Sequence, residues 1–137
     1  MVYGQSLDME WTGKNNYNED ILKEIHIHKT GQLLAASCVL GAVSAGASAK
    51  DVEKLYSIGL KLGLAYQVHD DLIDDQAGTG KTQGKDKADR KLTYLTLMTR
   101  DEATKILTDL CERACEALQA YGSRANVICE MVRRLYK

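Results

Sequence analysis

Three carboxylates crowd into five residues of this 137-residue chain, at Asp70, Asp71 and Asp74. In a helix, residues four apart share a face, so Asp70 and Asp74 point the same way and Asp71 lies to one side. Negative charges this close repel one another unless a cation neutralises them. Hard carboxylate oxygens suit Mg2+, with Mn2+ as an alternative, and Mg2+ often completes its shell with substrate phosphates. The pattern predicts a metal site for a phosphate-bearing ligand, and an acidic helix end on the surface is the alternative interpretation.

Lysines flank this acidic cluster on both sides in the sequence. Lys29 and Thr30 lie in an otherwise apolar stretch before it, and Lys81 and Lys91 follow it in a segment rich in Gly and Lys. Ammonium groups and Mg2+ together neutralise the oxygens of a diphosphate and help it to leave. A solvated basic segment, or a lysine whose stem covers apolar surface, is the structural alternative.

The elements that must position these residues are predicted to be helices. The chain has no proline, and its apolar residues recur at intervals of three and four without any strictly alternating run. The helices are predicted over 18–43, 51–74, 92–97, 102–121 and 125–136. Residues 1–18 are predicted to be irregular, and residues 75–90 are predicted to form a loop between helices. The fold class is therefore all-α.

The inward faces of the last two helices follow from their apolar residues. The penultimate helix is predicted to bury Ala103, Ile106, Leu107, Leu110, Ala114 and Leu118. The final helix is predicted to bury Val127, Ile128, Met131, Val132 and Leu135. The four cysteines lack the spacing of a zinc site and are expected to be reduced, mostly buried thiols.

Composition argues against several classes of partner. The net charge is −1, with 27% charged residues, so there is no bulk electrostatic attraction to nucleic acid or to a membrane surface. No apolar run reaches the length of a membrane span. We therefore expect a cytoplasmic protein with no nucleic-acid partner and no membrane span.

Six motifs in a fixed order add a family resemblance. They are Gly4-Gln5-x-x-Asp8, Ile25-His26-x-His28-Lys29-Thr30-Gly31, Leu40-Gly41-Ala42-x-Ser44-Ala45-Gly46, Gly63-Leu64-Ala65-Tyr66-Gln67-x-x-Asp70-Asp71-x-x-Asp74, Gly80-Lys81-x-x-Gly84-x-Asp86 and Lys91-x-Thr93-Tyr94. Together they resemble the C-terminal half of the trans-isoprenyl diphosphate synthases, and most closely the bacterial farnesyl diphosphate synthases (geranyltranstransferases).

The resemblance implies an isoprenoid-synthase-type helical bundle, of which residues 1–137 are a single partial domain. It implies a transferase of isoprenoid biosynthesis that condenses isopentenyl diphosphate with an allylic diphosphate, head to tail (1'-4). The reaction passes through a Mg2+-assisted allylic carbocation, and the expected product is farnesyl diphosphate.

The resemblance also assigns roles to single residues. Asp70 and Asp74 match direct Mg2+ ligands, and Asp71 matches a ligand or a holder of metal-bound water. Lys29, Lys81 and Lys91 match the lysines that bind the allylic diphosphate. Thr30 and Gln67 match catalytic positions that polarise the reaction centre, although each of these two residues could also be a satisfied core polar group. Lys29 matches a catalytic position as well. Gln5 and Asp8 match an auxiliary pair that faces the metal cluster.

The 137 residues contain only one Asp-rich motif, whereas the family uses two facing motifs. We therefore expect a C-terminal half that does not catalyse condensation alone and that associates as a homodimer. A non-catalytic, prenyl-synthase-like subunit that acts by protein–protein interaction is the alternative. A terpene-cyclase-like enzyme is disfavoured because Lys29-Thr30 and the Lys81–Lys91 segment match the synthases better.

Overall fold

The computed structural model describes residues 1–14, 18–76 and 92–136. All regular structure in these ranges is helical, as predicted. The elements are α1 (Val2–Trp11), α2 (Glu19–His26), a π-helical turn (Ile27–Gly31), α3 (Gln32–Ser44), α4 (Ala49–Gln76), α5 (Tyr94–Leu97), α6 (Arg100–Leu118), a 3-10 segment (Gln119–Ala125) and α7 (Asn126–Arg133).

The helices begin where polar caps occur in the sequence. The Asn18 side chain accepts a hydrogen bond from the Ile21 N–H at 3.0 Å, which caps the start of α2. The Thr99 hydroxyl and the Glu102 carboxylate form a reciprocal capping box at the start of α6. From Asn18 onward, α2, the π-turn and α3 continue as one helical rod, because their junction residues keep right-handed helical dihedrals.

Helix α4 is the central element, and it contacts α3, the π-turn, α5 and α6. Its contact with the rod is made backbone to backbone. A Cβ added to Gly59 would lie 2.5 Å from the Ala35 Cα, and one added to Gly63 would lie 2.8 Å from the Gly31 nitrogen. Real Cβ atoms do not approach this closely, so only glycine fits at these two positions of α4.

The hydrophobic core lies where α4 meets α2, α5 and α6, and α7 adds to it by packing on α6. Its buried members are Leu22, Ile25, Ile58, Ala65, Val68, Leu72, Leu92, Tyr94, Ala103, Leu107, Cys111, Ala114, Cys115, Leu118, Ala125, Cys129 and Val132. The predicted inward face of the penultimate helix is confirmed, with Ile106 and Leu110 partly buried against the core. All four cysteines are free thiols, and only Cys38 is partly exposed.

The prediction that residues 1–18 are irregular was wrong, because α1 spans Val2–Trp11. Its two buried residues are Gly4 and Asp8, one helical turn apart. A contact face made of a glycine and a carboxylate gives no apolar periodicity, so the pattern that reveals amphipathic helices was absent.

The loop predicted over 75–90 begins later than expected, since α4 continues to Gln76.

The predicted inward face of the last helix was largely wrong. In α7, Cys129 and Val132 are buried, whereas Val127, Ile128 and Met131 are exposed. Gly122, with φ +61°, redirects the chain just before this helix. The short helix therefore meets the core along a narrow face only, and its other apolar side chains remain in solvent.

Tyr94 closes the core at the start of α5. Its ring stacks on the His26 ring, with centroids 5.6 Å apart and planes 11° from parallel. Burial raises the pKa of the Tyr94 hydroxyl to about 12, and the negative charges of Glu19 and Asp71 add to the shift. The folded state therefore favours the neutral tyrosine.

In the part of the chain that the structure describes, no helix combines the length and the apolar character needed to cross a membrane.

The α3–α4 contact predicts opposite effects for two glycine substitutions. Gly59→Ala should lower the free energy of unfolding by about 1–3 kcal/mol, because the new methyl group overpacks the contact with Ala35. Gly41→Ala is the control, since Gly41 is an exposed position inside α3 with open space around it. It should raise stability by about 0.5–1 kcal/mol through helix propensity. Urea unfolding followed by circular dichroism measures both, and equal effects would contradict the close contact.

The Tyr94 pKa predicts a loss of stability at high pH. The unfolded chain ionises this tyrosine near pH 10 and the folded chain near pH 12, so the contribution is complete below pH 10. It is lost as the pH rises from 10 to 12, by up to about 3 kcal/mol. The pKa of Cys111 is also raised to about 12, mainly by burial, so the ionisation of this thiol lowers the stability of the folded chain over the same pH range. The Tyr94→Phe variant isolates the tyrosine, because it should lose less stability than wild type over this interval in urea unfolding.

Candidate functional site

The π-turn sets the direction of two predicted site residues, Lys29 and Thr30. Its wider hydrogen bond runs from the Gln32 N–H to the Ile27 carbonyl, five residues back. Single π-turns inside α-helices occur often at functional sites, because they change the direction of the side chains they contain. Here the turn directs Lys29 towards α1 and Thr30 towards α4.

Lys29 forms an ion pair with Asp8. The Lys29 Nζ donates to the Asp8 Oδ2 at 2.7 Å, and the two side chains are 27% and 11% exposed. One turn before Asp8, Gly4 packs on the backbone of Lys29 so closely that no Cβ could fit. The Thr12 hydroxyl donates to the Asp8 carbonyl at 2.8 Å near the end of α1. Helix α1 is thus held against the π-turn by a glycine contact and a charged hydrogen bond.

Thr30 and Gln67 meet between the rod and α4. The Thr30 hydroxyl donates to the Gln67 Oε1 at 3.1 Å, and Gln67 is buried. The contact depends on the Gly31–Gly63 approach, because a Cβ at Gly63 would also lie 3.3 Å from the Thr30 carbonyl carbon. Two of the three predicted catalytic residues, Thr30 and Gln67, are therefore in direct contact, and Lys29 is next to Thr30 in the chain.

The acidic cluster occupies the last two turns of α4, beginning one turn after Gln67. Asp71 is turned towards α5, and its Oδ2 accepts a hydrogen bond from the Tyr94 N–H at 2.8 Å. Asp70 and Asp74 are exposed and make no hydrogen bond or ion pair to another described residue. The last turn of α4 contains no basic residue. These carboxylates therefore lie at the negative end of a helix dipole, where negative charge is disfavoured.

This arrangement fits a hard cation in part. Within the described ranges, no three Asp, Glu, His or Cys side chains are grouped closely enough to form a metal site by themselves. Asp70 and Asp74 offer carboxylates on one helix face, with room for water and for ligands from other groups, which is how Mg2+ is usually bound. A cation there would also relieve the unfavourable charge at the end of α4.

Of the remaining predicted site residues, only Asp8 takes part in these contacts. Lys81 and Lys91 lie in 77–91, outside the described residues. Gln5 is exposed on α1. Asp8 was assigned to the metal cluster by the resemblance, and the structure pairs it with Lys29 instead.

Three features of the site were missed by sequence reasoning. They are the π-turn, the Lys29–Asp8 ion pair and the hydrogen bond from the Tyr94 N–H to Asp71. The π-turn has no compositional signature, and the two contacts join residues that are more than 20 positions apart. The motifs Gly4-Gln5-x-x-Asp8 and Thr93-Tyr94 contained the residues involved, but nothing in the sequence indicated which groups would meet.

The Thr30–Gln67 contact predicts a stability difference between two variants of Thr30. Thr30→Val keeps the shape but leaves the buried Gln67 oxygen without its donor, so it should cost about 1–3 kcal/mol in the free energy of unfolding. Thr30→Ser retains the hydroxyl and should cost less. Urea unfolding of the two variants provides the measurement, and an equal loss would show that the hydroxyl is not what Gln67 requires.

Comparison with known proteins gives the family. The family model described as Polyprenyl synthetase matches residues 1–127. The chain is 38% identical to geranylgeranyl pyrophosphate synthase 4 of Arabidopsis thaliana, over 90% of this chain and 34% of that protein. It is 37% identical to farnesyl diphosphate synthase of Micrococcus luteus, over 87% of this chain and 42% of that protein.

A solved structure shows the same fold. The geranyltransferase from Helicobacter pylori complexed with magnesium and isoprenyl diphosphate matches with a TM-score of 0.76 and 31% identity, over 98% of this chain and 45% of that one. The chain therefore spans less than half the length of these relatives. The fold is that of the isoprenoid-synthase helical bundle, and the chain belongs to the polyprenyl synthetase family.

Proposed function

We propose that this chain is the C-terminal half of a prenyltransferase that condenses isopentenyl diphosphate with an allylic diphosphate. One observation carries the proposal. The Thr30 hydroxyl meets Gln67 between the rod and α4, one turn before the exposed Asp70 and two turns before Asp74, and Lys29 is next to Thr30 in the π-turn. A diphosphate needs cations around its oxygens, and an allylic cation needs oxygen dipoles beside it. The π-turn and the facing part of α4 carry both kinds of group.

Asp70 and Asp74 are the residues that would hold Mg2+, or Mn2+, in this proposal, with Asp71 supporting them. Bound Mg2+ supplies charge neutralisation of the diphosphate as it leaves. Asp71 accepts from the Tyr94 N–H and fixes the end of α4 to α5. Asp71 would therefore orient the metal-binding turn rather than provide a freely turning ligand.

Lys29 binds the allylic diphosphate in this proposal, with Lys81 and Lys91 as further ammonium groups. An ammonium group on a flexible stem can follow the diphosphate as it separates from the allylic carbon. The backbone of Lys29 is held by its contact with Gly4, while its side chain is partly exposed. The side chain can therefore rotate towards a ligand without a change in the rod.

Thr30 and Gln67 are proposed to stabilise the carbocation through their oxygens. The Thr30 hydroxyl donates its hydrogen to Gln67, which leaves the lone pairs of the Thr30 oxygen free to face positive charge. Because Gln67 is buried, this orientation of the hydroxyl is fixed before the substrate arrives. Preorganised dipoles of this kind stabilise developing charge without reorganisation during the reaction.

Farnesyl diphosphate is the product that we propose, on the basis of the sequence motifs and the similarity to the Micrococcus luteus enzyme. The Arabidopsis thaliana geranylgeranyl synthase is equally similar over the same region, so geranylgeranyl diphosphate is the competing product. Mass spectrometry of the product from the complete enzyme distinguishes the two by one isoprene unit.

The free cysteines support our proposal of a reducing, cytoplasmic location.

A protein-interaction role is the second candidate, and one observation favours it. On α3, the side chains of Leu33, Leu40 and Val43 are 56–68% exposed, although this helix is apolar around most of its circumference. Helices of this composition are normally covered by other helices. The homodimer that we propose, or another subunit, could provide this cover.

Diphosphate binding by the chain tests the proposed site. Isothermal titration with inorganic diphosphate should show binding that Mg2+ strengthens at least about tenfold, because Mg2+ held by Asp70 and Asp74 would neutralise the charge of the phosphate oxygens. The double variant Asp70→Asn, Asp74→Asn should lose this strengthening. The double variant Glu112→Gln, Glu116→Gln is the charge-matched control, since both residues are exposed carboxylates on α6 and away from the site. A Mg2+ effect that survives in the aspartate double variant would refute the metal site.

Condensation by the isolated chain is a separate test. We expect no product from isopentenyl diphosphate and an allylic diphosphate, because the 137 residues contain one Asp-rich motif where the resemblance implies two. Product formed by the pure chain would show that one Asp-rich motif is enough, and would contradict our division of the site between two halves.

A further inference from the structure

The Lys29–Asp8 ion pair raises a question that the proposed function leaves open. Lys29 is assigned to the diphosphate, yet its ammonium group already has a carboxylate partner at 2.7 Å. The Asp8 side chain is only 11% exposed, so it is poorly solvated and depends on this partner. An incoming diphosphate must therefore compete with Asp8 for Lys29.

The surrounding contacts hold Asp8 in place, whereas Lys29 retains some freedom. Gly4 packs on the Lys29 backbone too closely for any Cβ, so α1 cannot turn away from the π-turn easily. The Lys29 side chain is long and 27% exposed. Of the two partners, Lys29 is the one that can move to a new anion.

We propose that Asp8 is a positioning residue that holds the Lys29 ammonium group before the ligand binds and releases it to the diphosphate oxygens when the ligand binds. The proposal rests on the assignment of Lys29 to the diphosphate. Asp8 keeps the ammonium group aligned before binding, and part of the affinity for the diphosphate is lost in separating the pair. Removal of the Asp8 charge should therefore strengthen diphosphate binding, whereas loss of a purely structural contact should weaken binding or leave it unchanged.

The test measures binding of inorganic diphosphate, without added metal, to the chain and its variants. Asp8→Asn keeps the size of the side chain and should bind about fivefold more tightly than wild type, which corresponds to one partly exposed ion pair. Asp8→Glu keeps the charge and should bind like wild type. Glu10→Gln is the matched control, because it removes the same charge from α1 at the exposed Lys14–Glu10 pair. It should change the affinity much less than Asp8→Asn.

A double-variant cycle shows whether the effect passes through Lys29. In a Lys29→Ala background, Asp8→Asn should give little or no gain, since the ammonium group to be released is absent. Equal gains in both backgrounds, or weaker binding by folded Asp8→Asn protein, would overturn the exchange. Absence of diphosphate binding to every variant would instead refute the diphosphate role of Lys29, and with it the proposed function.

A second measurement does not depend on affinity. Acetylation of Lys29 by acetic anhydride, read by peptide mass spectrometry relative to the exposed Lys23, reports whether the ammonium group is engaged. Asp8→Asn should raise this ratio severalfold if Asp8 holds Lys29, and an unchanged ratio would overturn the proposal. Circular dichroism of each variant confirms that the helices are intact.

Discussion

The close approach of the helical rod to α4 is the contact on which the site depends. Gly63 meets Gly31 and Gly59 meets Ala35, so the two backbones touch without side chains between them. This spacing brings the short Thr30 side chain within reach of Gln67. A larger residue at either glycine of α4 would separate the helices and break this hydrogen bond. The polar contact at the site is therefore a consequence of small residues that are themselves chemically inert.

Charge in the site is arranged asymmetrically around this contact. The Lys29 ammonium group is compensated by Asp8, whereas Asp70 and Asp74 lie exposed at the negative end of α4. The first pair is stable as it is, while the second pair gains stability from any added cation. A site of this kind attracts metal more strongly than it attracts a bare anion. Metal and diphosphate are therefore expected to bind better together than either does alone.

Much of the fold could be predicted from the sequence, because its main helices are amphipathic or interrupted by clear caps. Asn18 and the apolar spacing of α6 gave correct elements. Helix α1 could not be predicted, since its contact face is Gly4 and Asp8 rather than apolar residues. The last helix was predicted correctly but its buried face was not, because apolar spacing cannot show how wide a face the rest of the protein covers.

For the site, the resemblance supplied residue types, and only the structure supplied their partners. Thr30 and Gln67 were expected together near the reaction centre, and they are in contact. Asp8 was expected beside the metal cluster, and it is paired with Lys29. A charged side chain has several compatible partners in the sequence. Which partner it meets depends on how the helices pack, and a local sequence pattern does not show this.

The π-turn has a consequence for how the rod can change over evolution. One extra residue in a regular helix rotates everything after it by about 100° and misplaces a whole packing face. Here Leu22 and Ile25 face the core before the turn, whereas Gly31 at the end of the turn and Ala35 after it face α4. The turn separates two rotational registers, so each half of the rod can be optimised against its own neighbour. Substitutions on the two halves should therefore accumulate independently, with the turn itself as the segment that tolerates no change in length.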